Sequence, residues 1–568
     1  MNKKLDNPYL ATHPGELIKD ELRERGMTQK TLAEKISIKA SVLNEIIHGK
    51  RPISMNVALA LEKGLEIPAE IWIGQKQERK EIILKELARK FGWVCLMCCL
   101  TIVLFAQEPV GNNQSWQKVD LQRNITHPQP MTGVVLWPYK AKKVNARYGD
   151  CIQLEFNYFE PKDMVKGRQE DGSYIYDWSL FENTLQDVAS RGHQLIARFF
   201  YVYPSSLPDT AATTVPDFIK NLPDYQETYC TDPATFYPDW SHPDLEAFTM
   251  DFYRTFIETF GKDIRLAFLQ IGFGHWAEYH IYPTNVEYGK NLPSLEFQTE
   301  FLLMVDELCG DLPWMVSKNA ADNSPIPTDQ NLLAMDFGLF EDSFMGEYFL
   351  NGGYNKAWNN LSKGMSRWHI GVYGGEIGPG SEERYNFLNP EGMFGHQFEE
   401  VAAKHHISYA ISNHVVDNPH GTPERVKKAS MSIGYRFVVK DCLSDGISTR
   451  ILVYNDGIAP LYRDAYFAIG DVRSQSTLRG LLPGEEIWIE IDAPASKNGD
   501  NIKIVSDFIL PQQEIEFEAK LTSTNHLEQI NAAIHWDKTN IYNIHGQELP
   551  QAQSGFNIIN GQKVLWKN

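Results

Sequence analysis

Apolar residues fall at different spacings along this chain, and each spacing marks a different stretch. Before residue 90 they recur every three or four positions, as on one face of a helix. Pro14 suits a first helical turn, Leu17 and Leu22 continue it, and Gly26 is a stop. Thr28 is placed as the N-cap of a second helix, Gln29 to Ile36, Ser37-Ile38-Lys39 makes a tight turn, and Ala40 to His48 forms a third helix closed by Gly49. Two short helices joined by three or four residues form a helix-turn-helix, whose second helix enters the major groove of DNA. Val42, Leu43, Ile46 and Ile47 supply its buried side and leave Lys39, Ser41, Asn44 and Glu45 facing out. Asn makes paired bonds to adenine and Ser bonds either base, while Lys50, Arg51 and Gln29, the last at a helix N-terminus, are placed for phosphates.

The second spacing is no spacing at all. Phe91 to Ala106 reads FGWVCLMCCLTIVLFA, sixteen residues without a charge. Lys85, Arg89 and Lys90 precede it and Ala106-Gln107-Glu108 follows, the order of an export signal. The run is short of the roughly 20 residues that cross a bilayer. With ninety residues ahead of it, it reads either as an anchor inserted in a membrane at 91–106 or as a signal sequence joined in one frame to an upstream gene. A buried core helix is the alternative, and the missing polar face argues against it.

From residue 108 to 437, short β-branched and aromatic runs alternate with helical stretches, which predicts βα units and a parallel sheet. The eight runs are Gly133 to Leu136, Ile152 to Phe156, Gln194 to Phe200, Ile264 to Phe273, Trp314 to Ser317, Leu333 to Phe337, Trp368 to Tyr373 and Ile407 to Ser412. Between or after them lie helical stretches at Trp178 to Arg191, Pro243 to Phe260, Leu295 to Leu308, Lys356 to Lys363, Phe394 to His405 and Pro423 to Tyr435. Eight strands with interleaved helices fit a (β/α)8 TIM-like barrel, with its chemistry at the C-terminal ends of the strands. From 438 to 521 the pattern alternates, with turns at Asn455-Asp456-Gly457 and Pro483-Gly484, as in a β-sandwich. The expected fold class is therefore multidomain: an all-α helix-turn-helix head (1–90), the apolar segment (91–107), the barrel, the sandwich and a tail (522–568).

Charge separates these parts. Residues 1–90 hold 17 basic and 13 acidic side chains, net +4, so the rest of a chain of net charge −19 stands at −23. A field that negative repels phosphate backbones, which excludes nucleic acid as the long segment's ligand and disfavours anionic sugars, while leaving the head free to bind DNA. Thirteen Trp and 12% aromatic residues suit clefts that stack on sugar rings. Cys95, Cys98 and Cys99 sit in the apolar run, where a thiolate is unfavourable. Cys151, Cys230, Cys309 and Cys442 have no metal spacing and leave a disulfide open without pairing it. Neither a metal nor a cofactor is expected.

At the strand ends, Gly272-Phe-Gly-His-Trp276-Ala-Glu278-Tyr-His280 follows the fourth run, and Tyr373-Gly374-Gly375-Glu376 follows the seventh. Strands four and seven face each other across a barrel. Glu278 and Glu376 thus become the candidate catalytic pair: retaining glycoside hydrolysis needs two carboxyl groups about 5–5.5 Å apart, one donating a proton and one attacking the anomeric carbon. Trp276 is placed to stack on a sugar or to keep Glu278 protonated. Arg198, Tyr201 and Tyr203 after strand three, His280 after strand four, Asp336, Glu341 and Asp342 after strand six, and Asn413 and His414 after strand eight complete a polar rim for carbohydrate hydroxyls.

Two resemblances add to this. HPGELIKDELRERGMTQKTLAEKISIKASVLNEIIHGKRPIS, followed by ALALEKGLEIPAEIWIGQKQ, resembles the Cro/C1 (XRE) helix-turn-helix family and within it the HigA-like antitoxins. That resemblance implies a dimeric repressor reading a palindrome, often bound to a small toxin partner. TGVVLWPY, LEFNYFEP, YDWSLFENTLQDVASRGHQLIARF, LQIGFGHWAEYH, FEDSF and NDGIAPLYRD resemble a secreted family of unknown function, whose members are taken for glycosidase-like barrels followed by a β-sandwich. Members more commonly read Gly-x-Trp-Gly-Glu-Trp-His where this chain has Gly274-His-Trp-Ala-Glu-Tyr-His280. The final IYNIHGQELPQAQSGFNIINGQKVLWKN resembles the short C-terminal motif of exported proteins of gut-type Gram-negative bacteria. The resulting expectation is a DNA-binding head joined, by fusion or gene-prediction error, to an exported retaining glycoside hydrolase. A non-catalytic glycan-binding protein and a membrane-held regulator that senses carbohydrate outside and binds DNA inside are the alternatives.

Overall fold

The computed structural model describes most of residues 18–67 and 116–522, each with short gaps, and four strands between 541 and 566. Phe91 to Ala106 lies outside the described residues, as do Lys39, Lys50 and Arg51 of the DNA-contact set. Among the described residues no helix is long and apolar enough to cross a membrane. The chain forms two compact units, 1–113 and 114–568.

In the first unit, α1 (Gln29–Lys35) and α2 (Ala40–Ile47) make the expected pair. Thr28 caps α1 as its spacing predicts, its Oγ1 accepting from the Thr31 N–H at 3.1 Å. Leu32, Ala33 and Ile36 meet Leu43, Ile46 and Ile47 in one buried cluster. A further helix, α3 (Met55–Leu65), adds Leu61 and Leu65 to that cluster, and the Lys35 ammonium donates to the Gly64 carbonyl at 2.7 Å. Asn44 is exposed on α2 and Gln29 is partly exposed at the start of α1; Ser41 lies on the first turn of α2.

The second unit is built around a closed barrel of eight parallel strands in chain order: β1 (Gly133–Leu136), β2 (Leu154–Phe159), β3 (Gln194–Phe199), β4 (Leu266–Ile271), β5 (Trp314–Ser317), β6 (Gly338–Phe344), β7 (Tyr373–Ile377) and β8 (Tyr409–Ile411). Helices Pro138–Tyr148, Ser179–Ala189, Pro243–Phe260, Leu295–Cys309, Asn355–Ser362, Phe398–His405 and Pro423–Met431 accompany them, and the long ones turn an aromatic stripe inward. Phe256 meets Phe181 and Phe199 edge to face, and Phe252 meets Phe199 the same way, between Ser179–Ala189, β3 and Pro243–Phe260.

Three elements differ from the sequence reading. Leu333 to Phe337 is not strand six: Asp329 accepts backbone N–H bonds from Asn331 and Leu332 and so caps a short helix, Gln330–Leu333. The strand starts at Gly338, where backbone of the next strand leaves no space for a Cβ. Asp336 therefore lies before β6, at the end of the barrel away from the proposed rim, while Glu341 and Asp342 stand within the strand. Trp368 to Tyr373 is likewise mostly turn, because the buried Arg367 guanidinium bonds the carbonyls of Leu333, Met335, Phe337 and Leu361, and β7 begins at Tyr373. Helix Pro138–Tyr148, with Pro in its first turn, was hidden by its run of basic residues.

After the barrel come β9 (Phe437–Ser444), β10 (Thr449–Asn455), β11 (Tyr466–Ile469), β12 (Glu486–Ile491), β13 (Ile502–Val505) and β14 (Phe517–Leu521). They form two sheets, β12-β10-β9-β14 and one built on β11 and β13. Two strands from before the barrel belong to the first sheet: Leu121–Arg123 pairs with β14 and Gln117–Lys118 with β9. The layer placed at 438–521 thus draws on both sides of the barrel in sequence. Val439, Ile451, Ile489 and Phe517 share a core with Val135, Phe156, Ile196 and Phe268 from inside the barrel. Gln194, the first residue of β3, donates to the Phe508 carbonyl at 2.9 Å, and Arg463 donates to the carbonyls of Leu266 and Ala267 at 3.2 and 3.3 Å. The sheets hence cover the N-terminal ends of the strands and leave the C-terminal ends open. Cys151, Cys230, Cys309 and Cys442 are free thiols, so none of the four forms a disulfide. In the tail, Ile541–Asn543, Glu548–Leu549, Gly555–Ile559 and Gln562–Trp566 form a separate antiparallel sheet.

Candidate active site

The loop after β4 folds back on itself because two glycines permit it. The N–H groups of Phe273 and Gly274 both donate to the Glu278 carbonyl, at 3.0 and 2.7 Å, and His275 N–H donates to the His280 carbonyl at 3.0 Å. A Cβ on Gly272 would overlap the Ala277 carbonyl, and one on Gly274 that of His280. Trp276 and Ala277 take φ of 52° and 56°, a left-handed conformation that non-glycine residues adopt only under constraint. The Tyr279 N–H then bonds Ser317 Oγ at the end of β5, at 3.0 Å, which anchors the loop over the barrel mouth. The Glu278 carboxyl ends up buried.

Beside it stands Arg198, from β3, which is fully buried. Its guanidinium is held on every side: Nε to Gln270 Oε1 at 2.6 Å, one terminal nitrogen to the Tyr158 hydroxyl at 3.0 Å and the Trp276 carbonyl at 3.2 Å, and a two-pronged pair to Asp342 at 2.5 and 3.1 Å. Phe340 packs on its face, 4.1 Å from the ring centre. Such a fork fits a carboxylate in a way that a lysine would not. Next along β6, Glu341 pairs with Lys318 at 3.4 Å. Glu376 projects from within β7, one residue past Gly375, whose Cβ position is filled by the Glu341 carbonyl.

Four carboxyl groups thus lie among three cations, Arg198, Lys318 and Arg384. Burial, then Asp342 and Glu341, pushes Glu278 well above the usual carboxylate range against the pull of Arg198 and Lys318. Glu376 is pushed up to about 8, by burial first and Asp342 next, opposed by Arg198 and Arg384. Burial raises Glu341 to about 7 against the pull of Lys318. The Tyr158 hydroxyl lies in the field of both Glu278 and Glu376. Two acids whose surroundings hold their protons are the raw material of proton transfer at neutral pH.

The remaining predicted residues fall into two groups. Trp276 is partly exposed and meets Tyr203 edge-on at 6.3 Å; Tyr203 is 45% exposed, at the mouth. His280 stacks on Tyr282 at 5.8 Å with its Nδ1 3.7 Å from Glu278, and burial followed by Lys318 pushes it down to about 4, so it is neutral. Arg198, Asp342, Trp276, Tyr203 and His280 therefore surround the pair. Asn413 has its polar atoms engaged by the protein, Oδ1 with the Trp137 N–H and Nδ2 with the Tyr139 hydroxyl, each at 3.1 Å, so it ties β8 to the segment after β1. His414 lies against Tyr385, 5.9 Å between rings. Tyr201 is buried in the outer core on Thr249 and does not reach the rim. The reading missed Tyr158, Gln270 and Lys318; a polar residue inside an otherwise apolar strand, as in Leu-Gln270-Ile, was the available signal. Among the described residues no cluster suits a metal ion.

Residues 18–72 match the Helix-turn-helix family, so the head is a helix-turn-helix unit. The chain is 31% identical over 71 residues to virulence-associated protein I of Dichelobacter nodosus, a stretch that is 12% of this chain and spans 66% of that protein. It is similar in the head to the Pseudomonas aeruginosa antitoxin HigA with the higBA promoter, at 24% identity, 18% of this chain, 98% of that one and a TM-score of 0.11. The barrel region is similar to endo-glycoceramidase II from Rhodococcus sp., seen as a lactosyl-enzyme intermediate, at 11% identity, 67% of this chain, 100% of that one and a TM-score of 0.32.

Proposed function

We propose that the chain joins two working units: a head that binds operator DNA as a dimer, and an exported barrel that hydrolyses glycosides with retention. The observation that carries the enzymatic reading is the pair Glu278, buried, and Glu376, partly buried, set at the C-terminal ends of β4 and β7 around a single Arg198–Asp342 ion pair. In this mechanism Glu278 gives its proton to the glycosidic oxygen while the Glu376 carboxylate attacks the anomeric carbon. The bond to the leaving group breaks and a glycosyl ester forms on Glu376. The Glu278 carboxylate then takes a proton from water, which attacks the ester and frees Glu376. Trapping with a fluorinated aryl glycoside, followed by peptide mass analysis, is expected to label Glu376; a label elsewhere removes the assignment.

The pH dependence has a definite sign. Attack requires Glu376 ionised, and its carboxyl is pushed up to about 8, so kcat/KM is expected to rise as pH passes through that value. It falls again only where Glu278 loses its proton. An acid-limited optimum near pH 5 would contradict these roles. A protonated Glu376 at neutral pH also favours a second reading, a glycan-binding cleft without turnover; sugar binding with no product at any pH selects it.

For the head, Asn44 on the exposed side of α2 is the base-reading residue, with Gln29 and the basic pair Lys50 and Arg51 on phosphates. A gel shift of the full chain on the DNA upstream of its own gene is expected to weaken by about tenfold to a hundredfold in Asn44→Ala, as one lost bidentate base contact predicts. Equal shifts would sink the assignment. A small toxin is the partner this head would take. Export rests on Phe91 to Ala106 and on the tail, and a mature native protein starting at Gln107 is its test.

A further inference from the structure

Beside the carboxylates, over the ends of β1 to β3, lies a cavity of about 300 Å³. Its walls are Trp137, Tyr158, Phe200 and Tyr203, and its polar edge includes Glu160 and Asp163. The volume sits at the small end of the roughly 300–1,000 Å³ typical of small-molecule sites, room for a single ring rather than a polymer. The aromatic walls stand at different tilts, Trp137 inclined to Tyr158 by 54° at 5.3 Å and Tyr158 edge to face with Tyr203 at 6.1 Å and 89°. Trp137 carries a buried indole N–H with no hydrogen-bond partner in the protein, a donor that an oxygen of a bound ligand would satisfy. Tyr158 belongs to both places: its ring lines the cavity and its hydroxyl accepts from Arg198 at the ion pair.

We infer that this cavity is a binding subsite for one sugar ring without an acidic group, adjoining the carboxylate pair. Aromatic faces match the C–H faces of a pyranose, the indole N–H takes one of its oxygens, and the acids decide its charge. Glu160 is paired with Lys162 at 2.7 Å, which leaves Asp163 as the excess charge at the edge of the cavity. A uronate entering there meets repulsion from Asp163, whereas a neutral hexose or a free hexosamine does not.

The inference rests on the glycosidase reading only for the identity of its ligand as a sugar, and its test does not require turnover. Titration calorimetry of the full-length Glu376→Gln chain is run with cellotriose, maltotriose, the chitosan trimer and trigalacturonate. At least one of the first three is expected to bind, and trigalacturonate to bind at least about tenfold more weakly. Trp137→Phe, which keeps the ring shape and deletes the donor, is expected to weaken binding about tenfold, and Asp163→Asn to narrow the gap to trigalacturonate. Trp488→Ala, which removes an aromatic exposed on the sandwich, is expected to change nothing. No binding by any probe, undiminished binding in Trp137→Phe, loss in Trp488→Ala instead, or preference for trigalacturonate would each overturn the subsite. If Trp137→Phe weakens binding while the wild-type chain releases no product, the subsite stands and the hydrolase reading falls.

Discussion

Changing Glu376 to Gln is expected to lower turnover of aryl glycosides by about a thousandfold or more, a barrier increase of roughly 4 kcal/mol, while making the protein harder to unfold. The second half follows from the environment that makes the residue useful. Its folded carboxyl is pushed up to about 8, whereas in the unfolded chain it titrates near 4.5. Between those values the native state holds a proton that the unfolded state has lost, so stability is full below the lower value and declines as pH climbs through the window, by at most about 1.4 kcal/mol per pH unit. Glutamine carries no such penalty. The variant's gain in melting temperature is therefore expected to be larger at pH 8 than at pH 5, and Glu278→Gln should behave alike in both rate and direction. Retained turnover together with an unchanged, pH-independent melting temperature would show that the pair is an ordinary set of surface acids.

Arg198→Met is expected to be among the most destabilising single changes in the barrel, at about 3–5 kcal/mol. The guanidinium has no exposure, and its removal strands Asp342 among Glu278, Glu341 and Glu376 while leaving the Gln270 and Tyr158 oxygens without their donor. Arg198→Met combined with Asp342→Leu should recover part of the loss, because it removes the orphaned charge as well. Denaturant midpoints of the three proteins measure this. A single variant within about 1 kcal/mol of the parent would mean that the ion pair is not what holds the mouth together.

Much of the architecture was readable in the chain because periodicity is a local property. Helix Pro243–Phe260 has the predicted bounds, and strands Gly133–Leu136 and Trp314–Ser317 match as well, since each is an apolar run with clear punctuation. Strands six and seven shifted because the more apolar stretches before them are held as turns by Asp329 and Arg367, contacts that no periodicity records. The carboxylates were legible as residues that end a strand pattern beside glycines. Their partners were less so: Arg198 was placed on the rim as a sugar ligand, yet its hydrogen bonds go inward to Asp342, Gln270 and Tyr158. Which groups share a buried charge depends on pairs up to 144 residues apart, and a single sequence carries no trace of them.

The pairing of Leu121–Arg123 with Phe517–Leu521 joins distant parts of the chain, and its bond from Gln122 to the Leu521 carbonyl spans 399 positions. On a ribosome, that sheet cannot be finished until nearly all of the barrel and its cap have been synthesised. A nascent chain therefore carries Leu121–Arg123 without its Phe517–Leu521 partner for most of translation. Locking comes last, when Phe517–Leu521 arrives to pair with that early strand.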